Sequence, residues 1–162
     1  MATLDVLTYG FALNTDQGSF GYSTNSLLRV GRHNILIDTG PSSRRGFLYK
    51  ALQAKGLSTE DIDIVILTHM HWDHCQNTDL FKNALVLVNP TEIDYARNPN
   101  QWDLAVAAGM ADMMRDMKVE VVSEADTIVE GVSVLDTPGH TQGHMSILAV
   151  SYTHHRAHET DS

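Results

Sequence analysis

Cysteine is almost missing from this chain: Cys75 is the only one in 162 residues, which rules out an intrachain disulfide and a cysteine-rich zinc knuckle. Cations are scarce too. Eleven Lys and Arg against twenty Asp and Glu leave a formal charge of −9, and no basic run exceeds the pair Arg44 and Arg45. A phosphate backbone would be repelled, so no nucleic-acid partner is expected. No segment approaches the roughly 18 consecutive apolar residues of a spanning helix, and the first ten residues have neither a basic start nor a sustained apolar run. The chain is therefore read as cytoplasmic, with no membrane partner. Internal repeats, linkers and low-complexity stretches are also lacking. What is there, 43% hydrophobic and 19% charged residues, suits one domain with a real core.

Strand patterns open the chain, over Leu4 to Tyr9, Ser26 to Val30 and Asn34 to Ile37, with Gly31-Arg32 as a tight connection between the last two. The third run ends in Asp38-Thr39-Gly40-Pro41, where glycine and proline stop the strand and leave Asp38 at its tip. Phe47, Leu48, Ala51 and Leu52 recur at helical spacing between Arg44 and Lys55, with Gly56 as the cap. Ile62 to Leu67 is too apolar for a surface strand and is read as buried. A strand over Leu85 to Val88 follows, then helices over Thr91 to Arg97 and Leu104 to Lys118, the second with a stripe of Met110, Met113, Met114 and Met117 that suits core packing. Strands over Val119 to Val122, Thr127 to Val129, Val132 to Leu135 and Ser146 to Val150 complete the pattern. The mixture has no strict strand-helix-strand rhythm and predicts a layered α/β sandwich. Residues 1–150 are assigned to the domain and 151–162 to a polar tail.

Chemistry concentrates in two places. Thr68 to His74 reads THMHWDH, three imidazoles and one carboxylate directly after a buried strand. Those are donors that borderline ions such as Zn²⁺ accept. Two neighbouring ion positions fit, since His69 and His71 project to one side of an extended segment while Asp73 and His74 follow the turn. Chance clustering among nine histidines is a weak account of so specific a pattern. The second place is Thr137 to His144, TPGHTQGH, a tight loop after another strand. Two histidines leave a tetrahedral ion short of a third protein ligand, which His140 can supply; His144 is read equally well as a hydrogen-bonded loop residue. Cys75, beside His74, is read as a small packed residue.

From about Ser23 to Val150, through IDTG at Ile37 to Gly40, HMHWDH and TPGHTQGH in order, the chain resembles the metallo-β-lactamase superfamily. The resemblance implies an αββα sandwich with metals at one edge of the sheets. It implies that His69, His71 and His140 hold a first metal, that Asp73 and His74 hold a second, each zinc or another divalent ion, and that Asp38 supports a ligand histidine. The implied activity is metal-dependent hydrolysis of a small ester-like substrate by a metal-activated hydroxide, with Asp73 holding or relaying the proton. HWDHCQN and the long segment from Thr91 to Lys118 look most like the acyl-homoserine-lactone lactonase branch. Two-metal members also carry a later bridging aspartate and a late histidine. Asp161 lies in a polar setting, as do His154, His155 and His158, so the second site is short of ligands and the sandwich is expected to be incomplete at the C-terminal end. The alternative reading is a catalytically inactive metal-binding or homodimerising fragment, a partner chain completing the open sheet edge.

Overall fold

The apolar runs pair as their alternation dictates. In the computed structural model, which describes residues 2–106 and 109–150, β1 (Thr3–Thr8), β4 (Asn25–Val30) and β5 (His33–Ile37) form an antiparallel set, to which β6 (Ile64–Ile66), β7 (Leu85–Val88) and β8 (Lys118–Val121) add in parallel. A second sheet has the order β11 (Met145–Ala149), β10 (Val132–Asp136), β9 (Thr127–Val129).

Period-two alternation sends the two faces of the first sheet into different cores. Leu27, Leu36, Val65 and Val86 meet Leu48 and Leu52 of α1 (Arg45–Ala54) and Ile93 of α3 (Pro90–Arg97). Leu28, Ile35, Ile64 and Ile66 face the other way, against Val132, Val134 and Met145 of the second sheet. β6 is buried on both faces, as its unbroken apolar run predicts. The layer order, helices then sheet then sheet, is that of the αββα sandwich, and the described residues supply its first three layers. Leu52 is 1% exposed; truncation to Ala there is expected to cost about 2–5 kcal/mol.

Three expectations are corrected. A hairpin of β2 (Phe11–Thr15) and β3 (Gly18–Tyr22) occupies a stretch in which the sequence pattern predicts no element. Helix does not run from Leu104 to Lys118: it is limited to α4 (Met110–Met113) and a 3₁₀ turn over Met114–Asp116, and β8 already begins at Lys118. The backbone before α4 is used elsewhere, because Ala105 O accepts from Trp72 N at 2.7 Å and Val106 pairs with His71. The methionine stripe is also narrower than expected, with Met110 and Met114 buried but Met113 47% exposed. The polar tail, with Asp161, His154, His155 and His158, lies outside the described residues.

Candidate metal centre

The first ligand segment leaves β6 at Leu67 and turns at once. His71 has extended backbone and begins α2 (Trp72–Cys75), a single helical turn that swings Asp73 and His74 back towards His69. The second segment is the loop between β10 and β11, closed by Thr137 N donating to His144 O at 2.9 Å. Met145 N donates to Thr68 O at 3.0 Å, so the end of β6 and the start of β11 are bonded to each other. The two ligand segments are thereby neighbours despite some seventy intervening residues.

His69, His71 and His140 converge, each offering a ring nitrogen within 4.8 Å of the others. Their ring centroids are 4.6 to 4.7 Å apart. His74 lies 3.9 Å from His69 between centroids, and His74 Nε2 is 3.6 Å from Asp73 Oδ2. All five residues named from the sequence are thus in one cluster. His144 joins it, 5.1 Å from His69 between centroids, with Nδ1 at 2.9 Å from the Thr137 hydroxyl. It is not one of the three that converge.

Hydrogen bonds decide which nitrogen of each ring is left over. His69 Nδ1 is 3.0 Å from Thr68 Oγ1, and its buried Nε2 has no hydrogen-bond partner. An orphaned buried nitrogen costs about 1–3 kcal/mol, and its position beside two further imidazole nitrogens is what a bound cation would satisfy. His71 Nε2 is 3.1 Å from Asp103 Oδ2, leaving Nδ1 for the cluster. His74 Nδ1 is 2.7 Å from Asp38 Oδ2, leaving Nε2 beside Asp73. His69, His71 and His74 therefore each have one nitrogen anchored and one left for the cluster, the arrangement by which outer partners fix ligand tautomers.

Electrostatics agree with this donor set. Burial, reinforced by the neighbouring His74, His71 and His140, pushes the His69 pKa down to about 2. Burial and the adjacent His71, His144 and His74 also lower that of His140. Both stay neutral, the form that binds a metal. His74 goes the other way: burial disfavours its charged form, but the hydrogen bond and charge of Asp38, with Asp73, outweigh it. The chemistry of the set fits a borderline divalent ion at His69, His71 and His140, with Asp73 and His74 as donors to a second.

Asp38 supports a histidine, His74, as the family resemblance implies. It also accepts from Thr68 N at 2.8 Å and from Thr68 Oγ1 at 2.9 Å, and it holds φ of 58°. Asp103 and Tyr95 were not foreseen. Asp103 Oδ2 accepts from Tyr95 Oη at 2.7 Å while it holds His71. Burial works against its charge, yet the bonds from Tyr95 and His71 keep the Asp103 carboxyl below the usual range. No motif surrounds Asp103; only the break at Asn98-Pro99-Asn100 hints that the chain returns there. Beside the cluster, a cavity of about 300 Å³ is lined by Tyr95, Asn100, His140 and Gln142 among others, and a second of about 530 Å³ shares Tyr95, Asn100 and Gln142. No Lys or Arg lines either.

Comparison with known proteins agrees with the geometry. Residues 18–154 match the family model described as Metallo-beta-lactamase superfamily. A Methanocaldococcus jannaschii protein named as a probable metallo-hydrolase is 32% identical over 80% of this chain and 64% of its own length. An N-acyl homoserine lactonase from Bacillus sp is 28% identical over 90% of this chain and 59% of its own. The chain thus spans about three fifths of these relatives. A solved Thermotoga maritima structure, assigned by its name to the metallo-beta-lactamases, superposes with a TM-score of 0.77 at 26% identity, over 94% of this chain and 74% of that one. Family model, relatives and ligand geometry converge, and the chain belongs to the metallo-beta-lactamase superfamily.

Proposed function

We propose that the chain binds one or two divalent ions, zinc foremost, and hydrolyses a small ester-like substrate such as a lactone. The observation that carries this is His69 Nε2, buried without a partner where two other imidazoles converge. An ion held there would lower the pKa of attacking water and stabilise the negative charge developing on a carbonyl oxygen.

The chain's own residues do the rest. Thr68 and Asp103 hold His69 and His71 in the tautomers that present Nε2 and Nδ1. Asp38 does the same for His74. Asp73 Oδ2, partly exposed at the mouth of the cluster, is the group assigned to accept the proton of the attacking water and return it to the departing alkoxide oxygen. Tyr95, Asn100 and Gln142 line the space beside His140 where the rest of the substrate would lie. Without a basic side chain in that lining, a neutral substrate suits it better than a phosphodiester or a carboxylate. The likeness to an N-acyl homoserine lactonase supports a lactone as the first substrate to try.

A second reading is favoured by the ligand count: among the described residues, Asp73 and His74 give a second ion two protein donors. On that reading the chain binds one ion, turns nothing over, and pairs with a second copy. Elemental analysis of protein purified without chelator, with lactone, thioester and aryl-ester assays, separates the two. Two ions with turnover support the hydrolase; one ion with none supports the inactive fragment. Loss of metal from His69→Ala and His140→Ala is expected on both, and full retention would sink both.

A further inference from the structure

Glu92 lies in the first turn of α3 and is 0% exposed. A buried carboxylate is costly unless its oxygens are hydrogen-bonded, and here both are. Oε1 accepts from Met70 N at 2.8 Å, between His69 and His71, and Oε2 accepts from Gly143 N at 3.0 Å, in the loop that carries His140. One side chain thus grips both ligand segments, at points 73 residues apart in sequence. The closeness of the grip explains the glycine. A Cβ at position 143 would lie 2.2 Å from Glu92 N and 2.7 Å from its Cα, against backbone that cannot yield. The Asn89-Pro90-Thr91-Glu92 sequence has the spacing of a helix capping box, in which the Glu would turn back to the cap residue's N–H. Asn89 does cap α3, through Thr91 N at 2.9 Å, but Glu92 spends its oxygens on the two loops.

We propose that Glu92 is a positioning residue which sets the separation of the His69 and His71 segment from the His140 loop, and through it the affinity of the site for its ion. The proposal rests on the metal-centre reading given above. Glu92 is not among the residues whose donor atoms converge; its oxygens bond the backbone of Met70 and Gly143, and it acts through them. Glu92→Gln keeps the shape but replaces one acceptor by an NH₂ group facing an N–H donor. Gly143→Ala leaves the carboxylate intact and pushes the His140 loop off α3.

The test compares zinc affinity, by competition with a chromophoric chelator, and the visible absorption of the cobalt(II)-substituted protein, in wild type, Glu92→Gln, Gly143→Ala and Leu52→Ala. Glu92→Gln and Gly143→Ala are each expected to bind zinc at least about 10-fold more weakly, the scale seen when outer partners of metal ligands are removed, with an altered cobalt spectrum. Leu52→Ala, in the core under α1, is expected to melt earlier yet keep wild-type affinity and spectrum. A folded Glu92→Gln that holds zinc as tightly as wild type overturns the proposal; if that variant fails to fold, wild-type affinity in Gly143→Ala overturns it instead. Wild-type protein that binds no zinc would overturn the metal-centre reading itself.

Discussion

Asp38 and His74, 36 residues apart in sequence, meet at 2.7 Å between Oδ2 and Nδ1. The contact joins the end of β5 to the turn after β6, two parallel strands that lie side by side. It also explains why Asp38 accepts a left-handed backbone, with φ of 58°: the bend at the strand end carries its carboxylate across to Thr68 and His74. Asn tolerates that conformation at least as well, so Asp38→Asn removes the charge without changing the turn. The variant is expected to fold, and to hold the ion at Asp73 and His74 about 10- to 100-fold more weakly. Elemental analysis after dialysis against graded free zinc would show the second equivalent lost first; an unchanged zinc isotherm would refute the role assigned to Asp38.

Metal removal tests the orphaned nitrogen of His69. In the metal-free protein its Nε2 is buried without a partner, whereas a bound ion stabilises the folded state by mass action. At free zinc of 100 times Kd the gain is about 2.7 kcal/mol, which for a domain of this size raises Tm by roughly 5–11 °C. Differential scanning calorimetry with and without EDTA is expected to show that difference in wild type and to lose it in His69→Ala. A wild-type Tm indifferent to EDTA would contradict the metal centre.

The parts legible in sequence are those whose signal is local. The unbroken apolar run at Ile64 to Ile66 marks a strand buried on both faces, and His69, His71, Asp73 and His74 reveal their chemistry by spacing alone. Two misses share one physical cause, since each was settled by distant partners. Ala105 and Val106 sit next to good helix formers but pair with Trp72 and His71 instead. Glu92 has the position of a capping residue and bonds two remote loops. The hairpin of β2 and β3 leaves little trace in the pattern for a different reason: Phe11, Leu13 and Phe20 are each at least 47% exposed, so no buried face imposes a clear alternation, and Gly18 and Gly21 weaken the strand pattern further.

Cys75 offers a check on the packing behind the site. It is 0% exposed, its Sγ donates to His71 O at 3.2 Å, and burial pushes its thiol pKa up. A thiol so placed reacts only when the structure opens. Ellman's reagent is expected to titrate one thiol per chain in guanidinium and to react at least about 100-fold more slowly with the native protein. Rapid native labelling would mean that the turn from His71 to Cys75 is not packed as described.

Asp103 and Tyr95 supply the last test, because they separate anchoring of a ligand from ligation. Asp103 Oδ2 holds His71 Nε2 at 3.1 Å and is itself held by Tyr95 Oη at 2.7 Å. Asp103→Ala removes the acceptor outright, leaves the imidazole free to rotate, and also loses the bond from Ala105 N at 3.1 Å that shapes the neighbouring segment. Tyr95→Phe removes only the outer donor. A graded response follows: zinc affinity is expected to fall at least about 10-fold in Asp103→Ala and by a smaller factor, about 2- to 5-fold, in Tyr95→Phe, the scale of one neutral hydrogen bond worth about 0.5–1 kcal/mol. In the double variant Tyr95→Phe should add almost nothing to Asp103→Ala, because its partner is already gone. Competition titrations on the three proteins measure all of this at once. Additive losses would show that Tyr95 reaches the site by a route other than Asp103, through the cavity that it shares with His140.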